Sequence, residues 1–391
     1  MTTSLDTRIH DGVPDALAQE LATWRSAAGF EALAAPWTRL AAHANAGRID
    51  VHTVEARRSG SVVAIGFVHV VRKLAIGDYT GGVIEGFTRR ARRVGWTPLA
   101  FDVGYLEIPF ANRPGVLVAP GVDDETRAEA WRAIVLAADR GLRVDALCVK
   151  GSTRDPIGAS ALAKSELAYL PFAETWLLEL PSAGTDGPPS SEAWLASLSS
   201  TRRRHVRVSK RTFLDAGGTF ETIEDPASIA EHLSVLFDRT LARARARGDL
   251  PLPMSADARL YRSLHAELGA AASVRVSRVE GEIVGFTLEL RSHDTLFMRF
   301  VGLDYTRSES SGAYFASYAD MIERAASEGR RYVDLGTGTG EVKQRVGARR
   351  IDTHYRVAFR RWLAPARPLL TRMLASRFGE ATKSAPDVTG A

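Results

Sequence analysis

Apolar and polar positions alternate along this chain with two periods, and the switches between them lay out a mixed α/β protein. Residues 14–47 carry apolar side chains at helical spacing. Val51–Arg57 and Ser61–Val71 then repeat every two residues, as strands do, across the turn Arg58-Ser59-Gly60. Further strands are expected at Ala100–Glu107, Val116–Val118 and Val144–Lys150, with a helix over Asp124–Gly141 before the last. That helix opens on acidic residues and ends at Gly141 after Arg140, which suits the helix dipole and a glycine stop.

The periodicity breaks at Pro181–Ser191, a stretch rich in Gly, Pro and Ser with the composition of a linker. Beyond it, Glu192–Ala216 reads as a helix with a basic middle, stopped by Gly217-Gly218 before a strand at Thr219–Ile223. Helices over Pro226–Arg247 and near Asp257–Gly269 follow, separated by a loop at Gly248–Pro253. Ser273–Val279 and Glu282–Arg291 flank the turn Glu280-Gly281, and Thr295–Leu303 completes an antiparallel meander. A helix over Gly312–Gly329, a strand at Arg331–Leu335, a glycine-rich loop and a strand around His354–Arg361 end the pattern. The expected organisation is a domain over 1–181, a linker over 182–191, a second domain over 192–365, and a tail over 366–391 whose end is disordered.

A chain of 391 residues suits two cores better than one. With 45% hydrophobic and 25% charged residues it has an ordinary globular composition. No apolar run approaches the ~20 residues of a membrane span, and the polar, acidic N-terminus has no secretory h-region. A single cysteine, Cys148, can form no intramolecular disulfide and reads as a small buried hydrophobe. The expectation is a cytoplasmic protein. Nine scattered histidines and one cysteine offer no zinc pattern, and there is no Gly-x-Ser-x-Gly elbow. The net charge of +5 comes from arginine runs at 89–93, 202–207 and 239–247. Such runs attract the phosphates of a coenzyme or of nucleic acid, or simply decorate solvated helix faces.

The string Tyr332-Val-Asp-Leu-Gly-Thr-Gly-Thr-Gly-Glu341 looks like the first motif of S-adenosylmethionine-dependent methyltransferases. In those enzymes it opens a doubly wound sheet, and residues 342–391 hold too few elements to complete one. Taken in order, the basic helix Ser200–Arg211, the meander ending Phe297–Tyr305, the helix Tyr314–Glu328 and the string Val333–Gly347 resemble a different group. These are the GNAT acyltransferases of the cellulose-biosynthesis and Fem-like type, including peptidoglycan biosynthesis or recognition proteins. The resemblance covers about residues 190–362. Its most specific part is Asp334, Gly340, Glu341, Lys343 and Gly347; the N-terminal half resembles the family only loosely.

The resemblance implies tandem GNAT-like domains side by side, each a mixed, mostly antiparallel sheet flanked by helices, with a cleft between them. It implies transfer of an acyl group from acyl-CoA to a primary amine of a small molecule or cell-envelope precursor, without metal. Aminoacyl-tRNA is the alternative donor, and a non-catalytic recognition module the alternative role. The coenzyme pyrophosphate would lie on the turn Arg307–Ala313, at Arg307, Ser311, Gly312 and Ala313, where a helix N-terminus offers N–H groups. One glycine stands there where two are common, and an ordinary serine-capped helix start looks the same.

Amine acylation needs a base for the attacking ammonium and donors for the oxyanion. Asp334, Glu341 and Lys343 are candidates to hold or deprotonate the amine, and Tyr305 or Tyr314 to protonate the leaving group. The competing reading pairs Asp334 with Arg349 structurally and leaves Glu341 and Lys343 on a solvated turn. Arg299, a lone charge in an apolar strand, needs a ligand or a buried carboxylate; it and Arg349 are candidate substrate contacts. Arg203, Arg207 and Lys210 share one helix face and form a stripe for the phosphates of coenzyme A or a tRNA acceptor stem.

Overall fold

Strands from both halves of the chain hydrogen-bond into one 14-stranded sheet. The computed structural model describes residues 5–24, 30–75, 82–98, 100–163, 167–183, 187–246, 256–368 and 370–372. In the first half the strands are β1 (Asp6–Asp11), β2 (Ile49–Arg58), β3 (Ser61–Ala75), β4 (Ala100–Ile108), β5 (Arg113–Pro114), β6 (Val116–Val118), β7 (Ala146–Ser152) and β8 (Ala168–Glu179). In the second they are β9 (Gly218–Ile223), β10 (Ala272–Val279), β11 (Glu282–Arg291), β12 (Thr295–Leu303), β13 (Tyr332–Thr337) and β14 (Arg349–Phe359). Their order is β1-β2-β3-β4-β7-β14-β8-β13-β12-β11-β10-β9, with β5 on β4 and β6 on β3.

The mixed, mostly antiparallel sheet flanked by helices is present, but the two halves do not keep separate sheets. β14, from the end of the described chain, lies between β7 and β8 of the first half, and β8 lies between β14 and β13. Two parallel contacts interrupt the antiparallel order. Val103–Leu106 of β4 run beside Ala146–Val149 of β7, and Thr295–Phe297 of β12 beside Tyr332–Asp334 of β13. Beyond each short contact the ladder stops, which leaves two splayed gaps in the sheet.

Alternation along the strands sorts side chains to the two faces. Phe297 joins a core shared by both halves, whereas Leu296 and Met298 belong to the core under the helix Ala313–Ser327. In the shared core, the helices Glu31–Ala44 and Ala258–Leu268 pack together around Trp37, Leu40, Phe67, Tyr261 and Phe300. Phe30 meets Phe297 edge-on at 5.0 Å, and Phe110 meets Phe300 at 5.4 Å. Trp37 Nε1 donates to the Pro109 carbonyl at 2.6 Å, which satisfies the indole inside the core.

Local sequence explains most element ends. Asp123 caps the helix Asp124–Gly141 by accepting from Thr126 N. The helix expected over Glu192–Ala216 is two, Ser191–Ser197 and Ser200–Asp215, because Ser199 leaves helical geometry to cap Arg202 N. Described residues of the expected linker close on themselves, with Ser190 N donating to Pro181 O at 2.9 Å. The last strand begins at Arg349, earlier than the spacing suggests. The expected loop Gly248–Pro253 and the tail end, 373–391, lie outside the described residues. Among those described, no helix is long and apolar enough to cross a membrane.

The interleaved strand is fastened by a buried polar group in the first gap. Lys150 Nζ donates to Glu107 Oε2 at 3.0 Å and to Tyr355 Oη at 3.1 Å, and Tyr355 donates to Glu107 at 2.5 Å. Burial is the largest influence and pushes Glu107 up, but the Lys150 charge and the other polar groups around it, the Tyr355 and Lys150 hydrogen bonds among them, together outweigh it and hold the carboxyl below its usual range. His69, stacked on Tyr105 at 5.1 Å, is pushed down to about 4 by burial and stays neutral. Lys150→Met leaves Glu107 as a buried charge without its cation, so unfolding in urea should show a loss of roughly 3–5 kcal/mol. The double change Glu107→Gln with Lys150→Met should recover much of it; equal losses for both variants would refute the pairing.

Candidate active site

The second gap opens where β12 and β13 part after Phe297 and Asp334. Asp334 lies 1% exposed at this fork. Its carboxylate accepts from Arg113 Nη2, from Arg299 Nη2 at 3.1 Å and from Gly336 N at 2.9 Å. Burial raises its pKa, yet the guanidiniums of Arg113 and Arg299 outweigh burial and keep it below the usual carboxylate range. Asp334 is therefore a fixed anion. Arg113 and Arg299 sit 5.3 and 5.2 Å from the Phe297 ring centroid, so both guanidiniums are stacked as well as paired. Arg299 also donates to Ala111 O at 2.8 Å, tying the β4–β5 hairpin of the first half into the fork.

After Asp334 the chain turns back on itself with positive φ at Gly336, Gly338 and Thr339. Gly336 is required twice over: its φ is +68°, and a Cβ there would meet Met298 O at 3.1 Å. The loop lies on Trp176, whose ring would be 2.7 Å from a Cβ at Gly340. It then enters the helix Gly340–Arg345, which carries Glu341 and Lys343. Glu341 is exposed and faces Arg345 at 3.7 Å. Lys343 is buried and donates to Thr337 O at 2.5 Å. Burial dominates over the nearby Asp334 carboxylate and pushes its pKa down to about 7.

Hydroxyl groups gather on the other side of the loop. Tyr314 donates to Thr339 Oγ1 at 3.0 Å and shares a hydrogen bond with Tyr318 at 3.1 Å. Burial pushes Tyr318 well above the usual phenol range, with Tyr314 and Tyr305 as electrostatic neighbours. Tyr305 is half-buried, with Arg243 4.0 Å over its ring. The structure thus gathers two of the expected groups around one loop, with Asp334 and Lys343 beneath it and Tyr305 and Tyr314 beside it.

Other expectations need correction. The turn expected at Arg307–Ala313 is helical, Tyr305–Ser311, because Asp304 caps it by accepting from Thr306 and Arg307 N–H. Ser311 Oγ turns inward onto Arg307 O at 2.7 Å. Gly312, at φ +73°, links this helix to Ala313–Ser327, and a Cβ there would meet Ser209 O at 3.3 Å. Ala313 is buried and packs with Phe213 of the helix Ser200–Asp215. Asp334 pairs with Arg113 and Arg299, not with Arg349, which is exposed two strands away across Leu177. Arg299 reaches the buried carboxylate that its position in an apolar strand demanded.

The basic stripe runs away from the fork. Lys210 holds both oxygens of Glu323 at 2.6 Å, and Arg203 donates to Ala196 O at 2.9 Å. Arg207 and Lys210 line a groove of about 300 Å³ with Leu195, Val206 and Glu323. Glu323 is nine residues beyond Tyr314, about 14 Å along the same helix. Sequence reasoning missed Arg113, Tyr318, Thr339 and Trp176. The lone charge at Arg299 signalled a buried carboxylate, but nothing local marked the second cation, 221 positions from Asp334. Among the described residues no three His, Cys, Asp or Glu side chains cluster to hold a metal ion.

Residues 200–344 match the Acetyltransferase (GNAT) domain family. This segment of the chain is a GNAT-type acetyltransferase domain. The domain contains the fork, the loop and all three tyrosines, and takes Arg113 from outside its own span. No curated protein sequence matches the chain. Its fold is similar to that of FemX, with a TM-score of 0.53 at 10% identity over 85% of this chain and 93% of that one. L-PGS from Bacillus licheniformis gives a TM-score of 0.50 at 11% identity over 89% and 93%. A conserved protein of unknown function from Bacteroides thetaiotaomicron gives 0.50 at 12% over 89% and 100%. These likenesses concern the fold, and they span both halves of the chain rather than the GNAT domain alone.

Lys343 makes stability depend on pH. Its folded pKa of about 7 lies below the ~10.4 of an unfolded lysine, so between these values the unfolded chain binds more protons. Stability contributed by this site therefore rises with pH across that window. Urea unfolding at pH 7 and pH 9 should show about 2–3 kcal/mol more stability at the higher pH than Lys343→Met shows. The same pH response in both proteins would place the titration elsewhere.

Proposed function

We propose that the fork between β12 and β13 transfers an aminoacyl group from tRNA to a primary amine of a small molecule or cell-envelope precursor. The observation that carries the reading is the loop 336–340, held between a buried lysine with a pKa of about 7 and a hydroxyl pair, Tyr314 and Thr339. A base works best when its pKa is near the working pH. Neutral Lys343 takes the proton of the attacking ammonium, and exposed Glu341 holds that ammonium before attack. The amine nitrogen bonds to the acyl carbon, the acyl–oxygen bond to the ribose breaks, and Tyr314 gives the leaving oxygen its proton and regains one from the newly acylated nitrogen. Tyr318 and Thr339 keep the Tyr314 hydroxyl oriented. Asp334 is the anion that anchors the loop through Gly336 N–H.

The donor is argued from the helix Tyr305–Ser311, which fills the place of a phosphate-binding turn, and from the covered helix start at Gly312. Arg203, Arg207 and Lys210 lie where an extended polyanion would run on from the fork, a better match to an acceptor stem than to a compact coenzyme. The acetyltransferase domain over residues 200–344 supports a transfer of acyl type.

A thermal-shift comparison tests the donor, since a ligand of the native state raises the melting point. Charged tRNA should raise it and acetyl-CoA should not; a shift with an acyl-CoA, lost in Gly312→Pro, would overturn the assignment. With the donor in hand, kcat/KM should rise with pH through about 7 and level off, and Lys343→Met should flatten this limb and lower the rate at least a hundredfold. Tyr314→Phe should lower kcat roughly tenfold or more with little change in KM. A full rate in either variant would remove that residue from the mechanism.

A further inference from the structure

The chain has seven tryptophans. Five of them, Trp24, Trp37, Trp131, Trp176 and Trp194, are buried, whereas Trp96 and Trp362 are 57% and 62% exposed. Both exposed indoles stand at one end of the first half. Trp362 stacks on Phe101 at 5.8 Å, and Trp96 precedes Phe101 by five residues, a reach of at most about 18 Å. The end is the one where β3 finishes and β4 begins, since Leu74 pairs with Phe101 there.

The helix Gly82–Arg93 brings more to the same place. It turns Thr88 and Ala91 inward and leaves Phe87 and Arg90 outside, one turn apart, with Val94 continuing that line beyond the helix end. Phe87 is 50% and Val94 81% exposed, and Phe87 meets Trp96 edge-on at 5.6 Å. Arg90 and Arg93 on the helix and Arg361 beside Trp362 are exposed as well. Single apolar side chains on a surface are ordinary, but four large ones at one end, interleaved with arginine, mark an interaction site. Aromatic rings with a polar edge and cations on long stems suit a bilayer interface, where rings enter the headgroup layer and guanidiniums meet lipid phosphate.

We propose that this end docks on an anionic lipid surface, with Phe87, Val94, Trp96 and Trp362 entering the headgroup region and Arg90, Arg93 and Arg361 on its phosphates. Nucleic acid is the competing polyanion. The patch fits it less well, because Val94, its most exposed member, has no face on which a base can stack. The surface lies at the first-half end of the sheet, joined there by Arg361 and Trp362, and involves none of the groups placed at the fork, so it stands or falls independently of the donor.

The test is co-sedimentation of the full chain with vesicles of phosphatidylcholine alone and of phosphatidylcholine with 30% phosphatidylglycerol. Binding is expected only to the anionic vesicles, falling at least tenfold in 0.5 M salt and at least tenfold in the double variant Trp96→Ser, Trp362→Ser. Tryptophan emission of the native protein should shift to the blue with anionic vesicles, because the two exposed indoles are the ones free to enter the lipid. Arg90→Glu with Arg93→Glu, which leaves the aromatic residues in place, should lose vesicle binding as well. Equal binding to both vesicle types, no binding to either, or undiminished binding of the aromatic variant would overturn the proposal. So would loss of RNA binding in that variant when native protein ignores the vesicles.

Discussion

Everything at the fork depends on the interleaving of β8 and β14. A parallel pair of strands that part after a few residues leaves unpaired backbone and a wedge in the sheet, a costly arrangement unless both outer edges are held. In this protein each half supplies an edge for the other. β14 pairs with β7 and β8, and β8 pairs with β13 and β14, so neither gap can close or widen without breaking ladders in both halves. The shared core adds to this: Phe30 and Phe110 reach from the first half onto Phe297 and Phe300 of β12. The first half is therefore part of the machinery, not a passive neighbour.

The two gaps handle charge in opposite ways. The first sets Glu107 on β4 against Lys150 on β7 and closes the account with Tyr355, a neutral donor from the interleaved strand. Neutral His69 beside it adds no charge. The second sets Arg299 on β12 against Asp334 on β13 and brings in a second guanidinium, Arg113, with Lys343 close by. Cations thus exceed anions around Asp334. Burial makes a charged Lys343 costly and holds its pKa near neutrality, against the opposing pull of the Asp334 and Glu174 carboxylates. The first gap thus holds a closed polar group, and the second a buried carboxylate shared by two guanidiniums beside a buried lysine.

Much of this was legible in the sequence, and its limits have identifiable causes. The meander β10–β12 was plain because each strand alternates and Glu280-Gly281 marks the turn. Asp334, Lys343, Tyr305 and Tyr314 were named from the residue types that acyl transfer requires. The helix Tyr305–Ser311 was not, since its inward positions are Ser308 and Ser311, and serine leaves no apolar period to read. Arg113 lies in a two-residue strand far along the chain from its partner, and a contact of that range leaves no local pattern. The interleaving of β14 was equally hidden, because strand periodicity says which face is buried and not which strand lies alongside.

The helix that hid from the sequence also shapes the joint beside the fork. A helix start binds phosphate when its first N–H groups face solvent. Before Ala313–Ser327, the joint at Gly312 lies against the helix Ser200–Asp215, whose Ser209 carbonyl is 3.3 Å from where a Cβ of Gly312 would stand. The residues that would have cradled a pyrophosphate instead build a packed joint, with Ser311 bonded to its own helix. The same helix that covers the joint carries the basic stripe on its surface. Positive charge has thus moved from backbone N–H groups at the fork to side chains on a long exposed helix. That arrangement follows from how one helix packs rather than from any residue at the fork.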